Sequence, residues 1–290
     1  MGSDGQFIEG RPGIYDFSSA IAMLRAARTA GIQVIWDLWH YGWPDHLDIF
    51  STAFVRGFAA FAKEAITHIS EFTDRPYVSP INEISFFSWA GGEAGIFNPF
   101  AKHRGHEVKK QLVRATIEAI ETMRSINPRV RIFQVDPLIN IVPRSSSNEQ
   151  VKAAAMYSQS QFAAWDMIAG RLEPELGGRE DLLDVVGVNY YIHNQFILEG
   201  PMIVPSDSRY RHVAAMLLEV YERYRRPLFV AETGIEDDAR PAWLRYMCKG
   251  SVYGSGCRCA TGGPLLVPDR ESSRLGGRPS LLQRDVRLRR

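Results

Sequence analysis

The sequence alternates short apolar runs with helical patterns over most of its 290 residues. Five runs have the β-branched and aromatic composition of buried parallel strands, and they cover residues 32–39, 77–83, 130–136, 185–191 and 227–232. Elsewhere, apolar residues recur at steps of three or four, which is the spacing of amphipathic helices. The predicted helices cover residues 20–30, 51–70, 106–126, 148–169 and 212–224. Strands separated by helices in this way are typical of parallel βα units, in an open sheet or in a closed barrel.

The positions of polar and aromatic residues favour the barrel. These residues gather where four of the five strands end, at His40, Tyr41, Trp43, Asn82, Glu83, Asn189, Tyr191 and Glu232. A site assembled from the carboxyl ends of several strands is typical of a (β/α)8 barrel. No glycine-rich nucleotide-binding motif follows the first strand, which argues against a nucleotide-binding sheet. The sequence therefore predicts an α/β fold with a (β/α)8 barrel.

Two of the predicted strands end in a glutamate. The run 77–83 stops at Glu83, and the run 227–232 stops at Glu232. A single glutamate at a strand end is most often salt-bridged or solvated, but two of them suggest a pair of carboxyl groups with a shared chemical role. Asp136 and Asn140 are further polar residues expected at the same rim.

Four short motifs resemble those of retaining β-glycosidases in glycoside hydrolase clan A. Asn82-Glu83 is similar to the Asn-Glu that carries the acid/base, and Glu232-Thr233-Gly234 is similar to the family 1 nucleophile motif, usually Glu-Asn-Gly. WDLWHYGWP at 36–44 and VGVNYY at 186–191 are similar to the family's strand-three and strand-six segments. The four motifs occur in the family's order, so the resemblance is closest to family 1, the β-glucosidase-like enzymes.

The resemblance implies specific roles for these residues. Glu83 would act as acid and then as base, and Glu232 would be the nucleophile of a double displacement with retention. Asn82 would hold the sugar's 2-hydroxyl group, and Tyr191 would orient Glu232. The full set of substrate-binding residues implied is His40, Tyr41, Trp43, Asn82, Trp89, Asn189 and Tyr191. The substrate would be a small carbohydrate, without a cofactor. For Trp43 and Trp89, packing at the barrel rim is an equal alternative to sugar contact.

The resemblance covers residues 6–247, which correspond to strands three to seven, whereas strands one, two and eight of the family are missing. We therefore predict an incomplete barrel over residues 1–247 and a different segment over residues 248–290. That segment has nine basic and three acidic residues and contains all three cysteines. It is interpreted as out-of-frame translation, with a disordered or a nucleic-acid-binding basic tail as alternatives. An inactive remnant and a non-hydrolytic sugar-binding barrel are the alternatives to a glycosidase.

Net charge and the length of apolar runs limit the kinds of partner that we expect for this chain. The net charge is +1 and the sequence pI is about 7.8, so we predict no nucleic-acid partner. No run approaches the roughly 18 apolar residues of a membrane span, and no secretory signal is visible, so we predict a cytoplasmic protein without a membrane partner. His103 and His106 have metal-ligand spacing, but no third ligand is evident in the sequence, and no metal is predicted. The oligomeric state cannot be read from the sequence.

Overall fold

The structure is a computed structural model that describes residues 8–11 and 13–252. The chain forms two compact units. The first unit contains the residues up to Asp136 together with Phe162–Val185, and the second contains Pro137–Gln161 and the residues from Val186 onward. The prediction for residues 248–290 falls largely outside the described residues.

The first unit begins with a hairpin and continues with alternating strands and helices. Its elements are β1 Ile8–Arg11, β2 Ile14–Asp16, α1 Ser18–Ala30, β3 Ile35–Asp37, α2 Thr52–Ser70, β4 Tyr77–Ser79, α3 Ile84–Phe87, α4 Gly105–Ile126, β5 Arg131–Pro137 and α6 Ala163–Ile168, of which β5 ends one residue beyond the unit. A π-helical turn, Ser88–Glu93, continues α3 without a break. Short 3-10 turns follow at Pro174–Leu176 and Glu180–Leu182.

Three parallel strands form the sheet of the first unit. Strand β4 lies between β3 and β5, with Trp36 opposite Val78 and Val78 opposite Ile132. The N-terminal hairpin pairs β1 and β2 in the antiparallel direction. That hairpin was not predicted, since its residues read as irregular in the sequence.

Helices α2 and α4 pack against each other to build much of the first core. The buried face of α4 includes Val108, Leu112, Ala115, Ala119 and Met123, which confirms the apolar stripe predicted for this helix. Because the remaining positions of α4 are mostly charged or polar, the helix presents one face to the core and the other to solvent.

The second unit also contains parallel strands. Its elements are β6 Asn140–Val142, α5 Asn148–Ser160, β7 Val185–Asn189, β8 Gln195–Ile197, α7 Val213–Tyr224, β9 Leu228–Glu232 and α8 Arg240–Val252, with 3-10 turns at Ile192–Asn194 and Asp237–Ala239. Strand β7 pairs with β9, and β6 pairs with β8, both in the parallel direction. All five residues of β7 are buried, as expected for a strand covered on both faces.

The order of strands and helices is that of an incomplete (β/α)8 barrel, with β3, β4, β5, β7 and β9 as its barrel strands within the described residues. These five strands confirm the five predicted ones, although β3 and β4 are shorter than expected. In the part of the chain described here, no helix is long and apolar enough to cross a membrane.

The helix predicted over residues 148–169 is divided in two. The side chain of Gln161 interrupts it, because this amide accepts a hydrogen bond from the backbone N–H of Ile139 over 2.9 Å and also binds the carbonyl of Ser158. The short pair β6 and β8 was also not predicted, since three-residue strands leave too weak a pattern in sequence.

Candidate active site

Glu83 lies at the turn between β4 and α3. Its backbone is left-handed, with φ 48° and ψ 57°, and its N–H donates a hydrogen bond to the carbonyl of Val135 over 3.0 Å. A non-glycine residue pays a conformational cost in this region, so the surrounding contacts must hold it there. The side chain is half-buried. The turn therefore presents the Glu83 carboxyl group from a fixed backbone.

Tyr41 joins Glu83 to Asn82. The Tyr41 hydroxyl donates a hydrogen bond to Oε2 of Glu83 over 2.7 Å, and the Asn82 amide donates to the same hydroxyl over 3.4 Å. Asn82 is buried, and its backbone N–H binds the carbonyl of Trp39. Three residues predicted for the site are thus brought together in the first unit.

His40 and the two candidate tryptophans occupy different environments. His40 is exposed, and its Nδ1 lies 2.9 Å from Oδ2 of Asp37. The Trp43 indole N–H donates to the carbonyl of Leu47, and its ring packs on Trp39 and Phe87. Trp43 is therefore part of an aromatic cluster.

Trp89 is 43% exposed and touches the neighbouring ring of Phe86. It lies in the π-helical turn that follows α3. Of the two tryptophans, Trp89 offers the larger solvent-facing surface, because Trp43 is only partly exposed.

Asp136 is a buried carboxyl group behind the Glu83 turn. It is 1% exposed and accepts hydrogen bonds from the backbone N–H of Ser85 over 2.9 Å and from the Ser85 hydroxyl over 2.8 Å. Burial raises the pKa of Asp136 to about 7, and the nearby carboxyl of Glu83 adds to this, while Lys109 and the two Ser85 bonds oppose it. Burial also lowers the pKa of Lys109.

Glu232 ends β9 in the second unit. The Tyr191 hydroxyl donates a hydrogen bond to Oε2 of Glu232 over 3.0 Å. Asn189 is opposite Glu232 in the β7–β9 pair, and the register shifts by one residue just before this pair. The backbone N–H of Tyr190 binds the carbonyl of Glu232 over 3.0 Å. Asn189, Tyr191 and Glu232 are thus brought together.

Trp243 of α8 supports the residue after Glu232. Its indole N–H donates to the Thr233 hydroxyl over 2.8 Å, and its ring stacks on Tyr190 with centroids 5.8 Å apart. The Tyr191 ring stacks on His193 at a centroid distance of 5.6 Å. Tyr190 and Tyr191, which both bond to Glu232, are therefore each restrained by a stacked ring.

The two histidines with metal-ligand spacing each contact a glutamate. His103 lies 3.3 Å from Glu93, and His106 lies 2.7 Å from Glu173. Among the described residues, no group of three or more His, Cys, Asp or Glu side chains is arranged to hold a metal ion.

No protein-family model and no curated protein matches the chain. Solved structures do match it. A beta-glucosidase from Thermotoga maritima, in complex with deoxynojirimycin, has a TM-score of 0.65 at 16% identity, with 81% of this chain and 64% of that enzyme covered. The virulence factor SghA from Agrobacterium tumefaciens has a TM-score of 0.67 at 20% identity, with 84% and 68% covered. The AHE enzyme from Alicyclobacillus herbarius has a TM-score of 0.64 at 15% identity, with 80% and 64% covered.

The chain has the fold of family 1 glycoside hydrolases. It spans less than two thirds of the length of the Thermotoga beta-glucosidase, the first of these neighbours. The fold agrees with the resemblance found in the sequence motifs.

Sequence reasoning missed part of the supporting structure. Asp136 was expected at the rim, but its contact with Ser85 was not, because two residues 51 positions apart leave no local pattern. Trp243 was also missed. An aromatic residue on a helix that follows the Glu-Thr-Gly motif is a weak signal, and only the bond to Thr233 gives it a role.

Proposed function

We propose that this chain carries the catalytic machinery of a retaining β-glycosidase that cleaves small β-glucoside-like sugars. The observation that carries the proposal is the environment of Glu83 and Glu232. On a fold shared with β-glucosidases, each glutamate follows or ends a parallel strand, and each accepts a hydrogen bond from a tyrosine hydroxyl.

In this proposal Glu83 is the acid/base. The residue must give a proton to the leaving oxygen and later take one from water, so it needs a partner that suits both protonation states. The Tyr41 hydroxyl meets this need, because a phenol donates to a carboxylate and accepts from a carboxylic acid. A lysine or arginine in its place would favour only the ionised form.

Glu232 is the nucleophile in the same proposal. A nucleophilic carboxylate must stay ionised and must point its lone pair at the anomeric carbon. The Tyr191 hydroxyl donates to one oxygen of Glu232, which fixes the orientation of the carboxyl group with the other oxygen as the attacking atom. The stacking of Tyr191 on His193 restrains the ring that carries this hydroxyl.

The remaining predicted residues would bind the sugar. His40, Asn82 and Asn189 offer polar groups for hydroxyls, and Trp89 offers an exposed ring face. The solved neighbours bind sugar-like ligands, namely deoxynojirimycin, glucoimidazole and salicin. These ligands support a carbohydrate as the substrate class. No cofactor is required for this chemistry.

The test is hydrolysis of two aryl β-glucosides by the full chain. One substrate has a 4-nitrophenol leaving group, which needs little protonation, and the other has phenol, which needs more. Glu83→Gln should lower turnover of the phenyl glucoside by about 10²-fold or more and that of the nitrophenyl glucoside by less. Glu232→Gln should lower both by about 10³-fold or more.

Two surface variants serve as controls. Glu107 and Glu219 are glutamates paired with Arg104 and Arg211, and Gln at either position should leave turnover unchanged. A 2-deoxy-2-fluoroglucoside should lose its aglycone to solution as Glu232 attacks, so that the peptide containing Glu232 gains the mass of the fluoroglucosyl group. If the chain binds deoxynojirimycin but hydrolyses neither glucoside, the sugar-binding barrel replaces the glycosidase; if it does neither, the inactive remnant does.

A further inference from the structure

The helix that starts after Glu83 does not receive a cap from Glu83 itself. Glu83 is the N-cap residue of α3, yet its side chain makes no capping hydrogen bond, because its carboxyl group is turned to Tyr41. The first N–H groups of a helix need acceptors, and an N-cap side chain usually supplies one. In α3 the first N–H groups must therefore find an acceptor on a residue other than Glu83.

Asp136 supplies the missing cap from the next barrel strand. Its two carboxyl oxygens accept the backbone N–H and the hydroxyl of Ser85, the second residue of α3. The preceding residue of β5, Val135, accepts the N–H of Glu83. Two consecutive residues at the end of β5 therefore fasten the left-handed turn at both of its sides.

We propose that Asp136 is a positioning residue for Glu83: Asp136 caps α3 in place of Glu83 and so holds the turn that presents the Glu83 carboxyl group to the substrate. The inference rests on the proposed function, in which Glu83 is the acid/base. A misplacement of a reacting group by about 1 Å costs up to about 10²-fold in rate. A shift of the left-handed turn would displace the Glu83 carboxyl group in this way, because the turn carries it.

The contribution is geometric and does not depend on the charge of Asp136. The groups that face this carboxyl are Glu83, Ser85 and Lys109, and together with burial they hold its pKa at about 7. Asp136 is therefore mostly protonated in mildly acidic solution. An asparagine is a close match in shape to the protonated acid, and its carbonyl oxygen accepts the Ser85 N–H in the same way.

Three variants of the full chain test the inference. Asp136→Ala removes the cap, whereas Asp136→Asn keeps an acceptor for the Ser85 N–H. Asp184→Ala is the matched control, because Asp184 accepts the backbone N–H of Ile132 over 3.1 Å and the Arg131 side chain over 2.7 Å near the opposite end of the same strand. Three quantities are measured: the rate of hydrogen exchange at the Ser85 amide, and kcat and KM for the phenyl glucoside.

We expect Asp136→Ala to speed exchange at Ser85 about tenfold or more and to lower kcat about 30-fold, with KM changed by less than about threefold. Asp136→Asn should restore the Ser85 exchange rate and kcat to within about threefold of the parent chain. Asp184→Ala should leave the same exchange rate and kcat near the parent values. Exchange in the Asp184→Ala variant separates a local effect from a general loss of stability.

Several outcomes would overturn the inference. One is a normal kcat for Asp136→Ala, and another is an unchanged exchange rate at Ser85. An asparagine variant as slow as the alanine variant would also overturn it, because a charge and not a shape would then be needed. If the parent chain releases no phenol, the proposed function fails, and the exchange rates alone decide whether Asp136 anchors the turn.

Discussion

The phenolic hydroxyl of Tyr191 donates a hydrogen bond to the carboxyl group of Glu232 over 3.0 Å, and Tyr191 follows the end of β7 by two residues while Glu232 ends the neighbouring parallel strand β9. The bond is the most direct restraint on the glutamate assigned here as the nucleophile. Its length is at the long end of the range for O–H···O hydrogen bonds, so its removal should lower the rate by a moderate factor.

Tyr191→Phe should therefore lower kcat about tenfold, since a hydrogen bond to a charged group contributes about 1.5–3 kcal/mol. The measurement is the steady-state rate on an aryl β-glucoside. Tyr221→Phe is the control, because Tyr221 lies on α7, where its ring contacts Arg225. Equal losses in the two variants would contradict a specific role for Tyr191.

Trp243 and Thr233 should act as a pair in the same region. Trp243→Phe keeps an aromatic ring to pack on Tyr190 but removes the donor to Thr233, and Thr233→Val removes the acceptor. Each variant should lower the rate about fivefold, and the double variant should be no slower than the slower single one, since the members of one bond are not additive. The double-mutant cycle on kcat measures this directly, and full additivity would argue against the bond.

The pH dependence of stability should carry the signature of Asp136. The native carboxyl keeps its proton up to about pH 7, whereas the unfolded one, with a pKa of about 3.8, loses it much earlier. Between these values the native state binds more protons than the unfolded state, so the free energy of unfolding falls as the pH rises. The loss is on the order of 4 kcal/mol if Asp136 is fully ionised.

Asp136→Asn should remove this dependence of the unfolding free energy on pH, because an amide does not titrate. Urea unfolding at pH 5 and pH 8 should therefore show that the stability of the variant relative to the parent chain increases by about 2–3 kcal/mol between the two pH values. The dependence of unfolding free energy on urea should be unchanged, which confirms that the same surface is exposed. A stability difference that is equal at both pH values would contradict the expected titration.

Two glycines should differ strongly in how much substitution by alanine destabilises the fold. A Cβ on Gly178 would lie 1.9 Å from the carbonyl oxygen of Met167 and 2.8 Å from the backbone nitrogen of Gly170, and backbone atoms cannot move aside cheaply. Gly178→Ala should cost more than about 4 kcal/mol or prevent folding. By contrast, a Cβ on Gly57 would meet only the flexible end of Leu47, and Gly57 lies inside α2.

Gly57→Ala should therefore change the free energy of unfolding by less than about 1 kcal/mol, because the gain in helix propensity offsets the repacking of Leu47. Thermal unfolding of the two variants side by side is the measurement. Similar melting temperatures for both would contradict the distinction between backbone and side-chain neighbours.

The features that the sequence predicted are those that repeat along the chain. The stripe on α4 and the apolar run of β7 follow from the spacing of helices and strands, and both are confirmed. Glu83 and Glu232 were found because a carboxyl group at the end of an apolar run is visible in sequence. Their roles as acid/base and nucleophile stay predictions.

The features that escaped prediction depend on contacts between distant residues. The cap that Asp136 gives to Ser85 joins two elements, and so does the bond from Trp243 to Thr233. The break between α5 and α6 has the same origin. The Gln161 side chain lies in a good helical pattern, but it accepts a hydrogen bond from the backbone N–H of Ile139. Local propensity gives way to tertiary hydrogen bonds in each case.

The shift in register between β7 and β9 decides which face of the sheet carries Glu232. Val188 pairs with Val230, but Asn189 pairs with Glu232, so Ala231 is an extra residue on one strand. Such a bulge re-aims the side chain that follows it. Without the extra residue Asn189 would pair with Ala231, and the Glu232 side chain would lie on the same face of the sheet as Tyr190 instead of Asn189.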